Sequence, residues 1–374
     1  MILHESTVGD FVVMSAGIRE IRRIYPTVYI TLVVEKKAKS LAECCPYIDE
    51  LIVEDFTIDG RLIMNISYFE HLMELYMFNL NIAAKVLHHR YDIAFISNNG
   101  SFSTAPLLGY MCGARELISH STTSSGIEQF LTVDVPQRDY GIHAADKFLS
   151  YIEYLIRLPI ANRSLEAWVD ETDIETAQKL LPKSEKLCAI GLGGRRKRKH
   201  YPPEFYAEFI NMLFRAEPEM HFVIAGGEAE IEEAKIIMSN VTENRIIDLT
   251  GKTTFRETTA VLSFCSLYIG NDSCAMHLAA ATETPVLSPS CYPLDVQSPH
   301  VVFERWYPYG VPSVIVCPSH ALPECRGSVS FWGCIVEEPH CIKQITPNAM
   351  FEAYNLLLER IAQGNTEPMI VGAK

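Results

Sequence analysis

A chain of 374 residues exceeds the size at which a single hydrophobic core stops growing, so two domains are expected. Its formal net charge of −14 argues against nucleic-acid binding, which relies on Lys and Arg neutralising phosphates. No apolar run reaches the roughly 18 residues a membrane span requires, Met1 to Glu5 lacks the basic-then-apolar pattern of a signal peptide, and eleven cysteines scattered through apolar segments suit a reducing cytosol.

In chain order, Met1 to Leu3 is a short apolar run, Ser6 to Asp10 a loop, and Phe11 to Ile24 recurs at helical spacing up to Tyr25-Pro26. Tyr29 to Val34, Leu51 to Val53 and Tyr91 to Ile96 read as buried strands, and residues 59–90 as mostly helical. The pattern breaks around Arg157 to Asn162, and a second alternating set begins. Leu187 to Leu192 is a strand running into Gly193-Gly194, with a helix from Pro202 to Arg215. His221 to Ala225 is a strand ending in Gly226-Gly227-Glu228, with a helix from Ala229 to Ser239. Ile246 to Leu249 and the helix of Phe255 to Phe264 follow. This alternation implies an α/β protein with two Rossmann-like halves in one chain. Each carries a parallel sheet and its ligand loops at the carboxyl ends of the strands, so the two sites are expected to face one another across a cleft.

The most informative stretch runs from Ser266 to Leu287. Leu267, Tyr268 and Ile269 form an apolar strand, Gly270 to Ser273 break it, and Met276, His277, Ala279 and Ala280 resume at helical spacing until Thr284-Pro285. Asp272 or Ser273 is placed as the N-cap, so the amides of Ser273, Cys274, Ala275 and Met276 would point out of the strand's carboxyl end and make an anion site. An ordinary capped helix fits the same stretch.

Gly9-Asp10 follows the first strand and precedes a helix, so Asp10 is a candidate catalytic carboxylate or a helix cap. Gly194, Arg195 and Lys199 lie in a run of five cations between a strand end and a helix start, where they can clamp a diphosphate. Glu228, after two glycines at a strand end, is placed like the acid that accepts ribose hydroxyls, or it favours its helix's positive end. Cys317, Cys325, Cys334 and Cys341 can close a tetrahedral structural metal site or stay free thiols.

Gly9-Asp10 with Arg22-Arg-Ile-Tyr-Pro26, Lys199-His-Tyr-Pro202, Gly226-Gly-Glu228, Leu249-Thr-Gly-Lys252, and Asn271-Asp-Ser with Met276-His-Leu-Ala-Ala-Ala281 occur in the order and spacing of glycosyltransferase family 9. The chain resembles that family, the heptosyltransferases of bacterial lipopolysaccharide assembly, over nearly its whole length. The resemblance implies a GT-B architecture: residues 1–162 as acceptor domain, 163–345 as nucleotide-sugar domain, and 346–374 as a return helix to the first domain (Asn348 to Ile361) plus a flexible tail. It also implies Asp10 as the base and Lys199 on the diphosphate. Glu228 would bind the nucleoside and Asp272-Ser273 the phosphate, with Gly9, Gly194, Arg195, Cys274, Ala275 and His277 around them.

Family members commonly carry Gly where this chain has Cys274. The implied reaction is inverting transfer of a sugar, a heptose from ADP-heptose, to a glycolipid or glycan acceptor. It would need no cofactor and proceed in the cytoplasm or at the inner membrane face. Residues 1–165 hold 14 basic against 19 acidic residues, which leaves a protein acceptor open, as it does another nucleotide-sugar donor or a non-catalytic sugar-nucleotide-binding protein.

Overall fold

The computed structural model describes residues 2–5, 8–54, 84–85, 90–96, 113–119, 132–134, 142–184, 186–296, 303–323, 329–330, 333–334 and 336–373. The helical reading of residues 59–90 lies outside these, apart from 84–85, which are helical, and Arg90. The chain divides into two compact units, residues 1–139 with 145–163, and 140–144 with 164–374.

In the first unit, β1 (Ile2–Glu5), α1 (Val8–Ile24), β2 (Thr31–Glu35), α2 (Lys39–Ala42), β3 (Glu50–Glu54), β4 (Ile93–Ile96), β5 (Glu116–Ser119) and β6 (Val133–Asp134) build a sheet ordered β3-β2-β1-β4-β5-β6. All its pairings are parallel, as in Glu5 opposite Val34 and His4 opposite Ile96. That order reverses direction between β1 and β4, the switch point at which Rossmann-type sheets hold ligands. α1 buries Phe11, Met14, Ile18 and Ile21. It is approached closely by α3 (Ala144–Ile156), because a Cβ on Gly17 would meet the Phe148 ring at 2.3 Å. α3 ends with Arg157 in the left-handed region (φ 51°), the conformation that stops helices, where the sequence pattern also breaks.

The second unit continues with α4 (Glu171–Leu180), β7 (Leu187–Gly191), α5 (Pro203–Ala216), β8 (His221–Ala225), α6 (Ile231–Asn240), β9 (Ile246–Asp248), α7 (Phe255–Ser263), β10 (Leu267–Gly270) and α8 (Cys274–Ala281). β11 (Val286–Pro289), α9 (Phe303–Trp306), β12 (Ser313–Cys317), the small hairpin β13 (Val329–Ser330) and β14 (Gly333–Cys334), α10 (Pro347–Ala362) and β15 (Pro368–Gly372) complete it. Its seven-stranded sheet is ordered β15-β12-β11-β10-β7-β8-β9, again all parallel, with its switch point between β7 and β10. β7, β10, β11 and β12 are buried throughout, as expected of strands covered on both faces.

Two expectations are corrected here. The C-terminal helix does not belong with the first unit: α10 sinks Met350, Ala353, Tyr354 and Leu357 into the second unit's core beside Ile210, Leu213 and Val316. Met350 and Leu357 each contribute roughly 1.5–3 kcal/mol of apolar burial, so that face specifies where the helix docks. The stretch after it is not a flexible tail. Gly364, at φ 63°, ends the helix, and β15 then pairs along the whole of β12 from Ser313 opposite Pro368 to Cys317 opposite Gly372.

No helix among the described residues is long and apolar enough to cross a membrane. Cys317 is buried at the end of β12, and Cys341 is buried against Ala321. Cys325 and the side chain of Cys334 lie outside the described residues, among which no group of three metal-ligating side chains forms.

Candidate active site

In the first unit the candidate base follows the central strand. α1 begins at Val8, so Gly9 and Asp10 are the second and third residues of the helix rather than a cap ahead of it. Both are half-buried. An acid in the first turn is favoured by the partial positive charge of the helix N-terminus, so the local sequence stabilises a carboxylate at the switch-point edge of this sheet.

In the second unit three loops meet the carboxyl edge of the sheet. After β10, Asn271 is fully buried and ties two of them together. Its Oδ1 accepts from the Tyr201 amide and the Tyr206 hydroxyl, both at 3.0 Å, and its Nδ2 donates to the Leu192 carbonyl at 2.6 Å. One amide side chain thus fixes the ends of the Leu192–Tyr201 loop against the β10 turn. Within that loop a 3₁₀ turn, Lys197–Lys199, aims Lys199 at Asp272, and Nζ donates to Oδ2 at 2.7 Å.

Both side chains of this pair are less than a fifth exposed, and the ammonium stands 5.9 Å from the centre of the buried Tyr292 ring. Burial pushes the Lys199 pKa down, but the Asp272 carboxylate beside it, with Tyr292 and Cys291 adding to it, brings it above the ordinary lysine value. The ammonium is therefore permanently charged.

The other four cations of the run are placed differently. Arg195 is exposed, Arg196 pairs with Glu337 at 3.3 Å, Lys197 lies 4.0 Å from Glu338, and Arg198 is buried. Of the five cations in the run, Lys199 is the one whose described contacts include Asp272. Gly194 has a packing reason to be glycine: a Cβ there would sit 2.9 Å from the His200 ring. That ring bridges the Gly194 carbonyl (2.9 Å) and the Glu233 carboxylate (2.8 Å). Burial lowers the His200 pKa, but these two acceptors together raise it above the usual histidine value.

Ser273 is the N-cap of α8, with Cys274, Ala275, Met276 and His277 in the first turns. The helix stops at Ala281, with Glu283 left-handed at φ 60°, before Thr284-Pro285 is reached. His277 is buried and its Nδ1 has no hydrogen-bond partner. Burial, helped by the charge of Lys199 and opposed by Asp272, lowers its pKa to about 4, so the imidazole is neutral at physiological pH. Its ring meets the Trp306 edge at 6.1 Å.

His143 sits nearby. Its Nε2–H donates to the Tyr307 carbonyl at 3.0 Å and its ring stacks on Tyr309. Burial, with His277 adding to it, lowers its pKa to about 3. Glu228 is exposed at the head of a 3₁₀ turn after Gly226-Gly227. It packs beside Gly251, whose φ of 70° favours glycine and whose amide donates to the Gly226 carbonyl at 2.9 Å. The neighbouring Glu230 accepts the Gly227 amide at 2.7 Å, which leaves the start of this turn rigid.

The second unit thus brings together Lys199, Asp272, Ser273 and His277, with Glu228 two strands away on the same sheet edge. Asn271, Tyr292, His143 and Trp306 were not singled out from the sequence. Asn271 sits within the legible Asn-Asp-Ser run, whereas the partners of His143 lie 164 residues away and leave no local pattern.

A family model described as glycosyltransferase family 9 (heptosyltransferase) matches residues 80–289, more than half the chain. The chain is 25% identical over 292 residues to the lipopolysaccharide core heptosyltransferase OpsX of Haemophilus influenzae, covering 78% of each. Among solved structures it resembles a family 9 glycosyl transferase from Veillonella parvula, with a TM-score of 0.72 at 20% identity over 96% of this chain and 97% of that one. It also resembles the E. coli ADP-heptose lps heptosyltransferase II, with a TM-score of 0.68 at 17% identity over 96% and 98%. These likenesses establish the GT-B fold class already visible as two Rossmann-like units. With its ion-paired lysine and its serine at the N-cap position of α8 inside the matched segment, the chain belongs to glycosyltransferase family 9 and is a glycosyltransferase.

Proposed function

We propose that this enzyme is an inverting, metal-independent heptosyltransferase that moves heptose from ADP-heptose to a hydroxyl of a lipopolysaccharide-core acceptor. The observation that carries the reading is the Lys199–Asp272 pair at the head of α8. A held ammonium beside the first amides of a helix is a fixed cradle for a departing diphosphate. The names of the relatives, a core heptosyltransferase and an ADP-heptose-using one, support the donor and the acceptor.

In this mechanism Asp10 accepts the proton of the acceptor hydroxyl as its oxygen attacks the anomeric carbon, from the face opposite the leaving group. The new C–O bond forms while the bond from the anomeric carbon to the diphosphate oxygen breaks, and ADP departs with the bonding pair. Lys199 and the amides of Cys274 and Ala275 stabilise that charge in the role a divalent ion fills in other transferases, while Ser273 holds the phosphate and Glu228 the nucleoside hydroxyls. The transfer takes place in the cytoplasm, with at most peripheral contact with the membrane.

The test is to incubate the enzyme with ADP-heptose and a truncated core acceptor, with and without chelator. Mass spectrometry reads the product, and NMR reads the configuration at the new linkage. Formation of an inverted heptoside that chelator does not diminish is expected. A retained configuration, a chelator-sensitive rate, or transfer from a different nucleotide sugar alone overturns the corresponding part of the reading.

A further inference from the structure

His200 closes the cationic loop on itself. Its backbone follows Lys199 directly, its Nε2 returns to the Gly194 carbonyl at 2.9 Å, and its Nδ1 meets the Glu233 carboxylate of α6 at 2.8 Å. The side chain is 10% exposed, and it leaves no room for a Cβ on Gly194. Asn271 fixes the outer ends of this loop at Leu192 and Tyr201, and the His200 ring fixes its interior.

Both partners of that ring are acceptors only. A carbonyl and a carboxylate have no proton to offer, so each ring nitrogen must supply one, and a ring protonated on both nitrogens is an imidazolium. A neutral imidazole carries a single N–H and would set the lone pair of its other nitrogen against the remaining acceptor oxygen.

Burial favours the neutral ring, but Glu233, the Gly194 carbonyl and the charge of Glu230, just ahead of α6, together bring the pKa above 6.5. Tyr206 also faces Glu233, with its hydroxyl committed to Asn271 at 3.0 Å. On the loop itself Arg196 and Lys197 face Glu337 and Glu338, and Lys199 faces Asp272.

We propose that His200 is a positioning residue that works as an imidazolium: it ties Gly194 to the end of the loop and to α6, and so holds Lys199 where the donor diphosphate binds. The inference rests on reading the Lys199–Asp272 pair as the diphosphate site. Loss of one proton breaks one of the two hydrogen bonds, so donor affinity falls as pH rises through the raised histidine value. Stability falls in the same window, because the folded protein holds this proton more tightly than the unfolded chain. That contribution is full below pH 6.5 and is lost as pH rises through the folded value, whereas His143 and His277 lose theirs below pH 6.5.

The test uses ADP as the probe, with calorimetry from pH about 6 to about 9 on the wild type, His200→Gln and His200→Arg, and nitrogen NMR of the histidine rings. At the acid end His200→Gln is expected to bind ADP about threefold to tenfold more weakly than the wild type. That ratio should shrink towards one at the alkaline end, and because ADP's own titration is common to both proteins it cancels. His200→Arg, charged throughout with donors for both acceptors, should not lose affinity relative to His200→Gln as pH rises.

A His200 ring that titrates at or below 6.5, a wild-type to His200→Gln ratio that does not change with pH, or a His200→Arg variant that loses affinity with pH as the wild type does would each overturn the inference. Wild-type protein that binds no ADP at any pH, with its ring still titrating above 6.5, would instead sink the diphosphate-site reading beneath it.

Discussion

Each unit sets an aspartate at a strand-to-helix junction beside its own switch point, and the two are built differently. Asp10 follows β1 from inside the first turn of α1. Asp272 follows β10, precedes the helix, and is held by the Lys199 ammonium at 2.7 Å. A carboxylate oxygen already holding an ammonium anchors that charge and is not offered to a substrate proton. The same residue type on the same supersecondary unit is a cation holder in the second unit, and in the proposed mechanism it is the proton acceptor in the first.

The sharpest test of this contrast is to remove each acid. Asp10→Ala is expected to lower turnover by about two to four orders of magnitude while ADP binding stays intact. Asp272→Ala should act first on ADP affinity, and calorimetry beside steady-state kinetics would show it. Interchanged phenotypes would break the comparison.

Next in size, Lys199→Ala should weaken ADP binding by roughly tenfold to a hundredfold, the worth of one charge-assisted hydrogen bond. It also leaves Asp272 little exposed and without its ammonium, so a denaturant midpoint should fall. Adding Asp272→Asn to Lys199→Ala should recover part of that stability but not the affinity. Recovery of affinity would show that the lysine serves only to neutralise the aspartate.

The third test is a pH series. His277 and His143 have folded-state pKa values of about 4 and about 3, below the usual histidine value of 6.5. The folded protein excludes their protons, so the stability tied to their neutral forms is full above pH 6.5 and is lost as pH falls below it. Between pH 6.5 and 5 the loss is about 2 kcal/mol for each imidazole.

In the first unit the shifted carboxylates run to more acid pH. For Glu20 and Asp49 burial raises the pKa, but hydrogen bonds from Arg23 and the Ala161 amide, and from the Ile30 amide and Arg22, bring the net shift below the usual values. Their contribution is present above pH about 4 and lost below it. Urea denaturation at pH 7, 6 and 5 should therefore show a decline that His277→Gln and His143→Gln each flatten by about half. A decline beginning only below pH 4 would remove the buried imidazoles from this account.

The smallest effect is expected at Lys197, whose side chain is 74% exposed and stands 4.0 Å from an equally exposed Glu338. Lys197→Ala should alter unfolding stability by no more than about half a kcal/mol. A large loss of ADP affinity in that variant would restore the wider cationic clamp read from the sequence.

Much of the architecture was legible because the buried strands are short apolar runs with glycine punctuation. Leu187 to Gly191, His221 to Ala225 and Leu267 to Gly270 were found within a residue or so. β12 and β15 were missed, since Ser313–Cys317 sits in a Pro-rich stretch that reads as a loop and Pro368–Gly372 follows the last helix. Helix starts were read late or early by a residue or three, as at Val8, because capping depends on backbone angles rather than composition.

By itself the sequence determined two parallel α/β units, a strand-to-helix turn at Asn271 to Ser273, and Lys199 and Asp10 in the segments that follow strand ends. Hydrophobic period, turn residues and spacing are local properties of a chain, so these could be read without coordinates. The tertiary structure alone decided that one cation in five meets Asp272, that Asn271 binds the loop to the turn, and that α10 and β15 complete the second unit. It also seated two neutral histidines beside Trp306, Tyr307 and Tyr309. Each of those outcomes is a contact between residues tens to more than a hundred positions apart. Such contacts are selected by burial and hydrogen-bond completion in the packed fold, which no local pattern encodes.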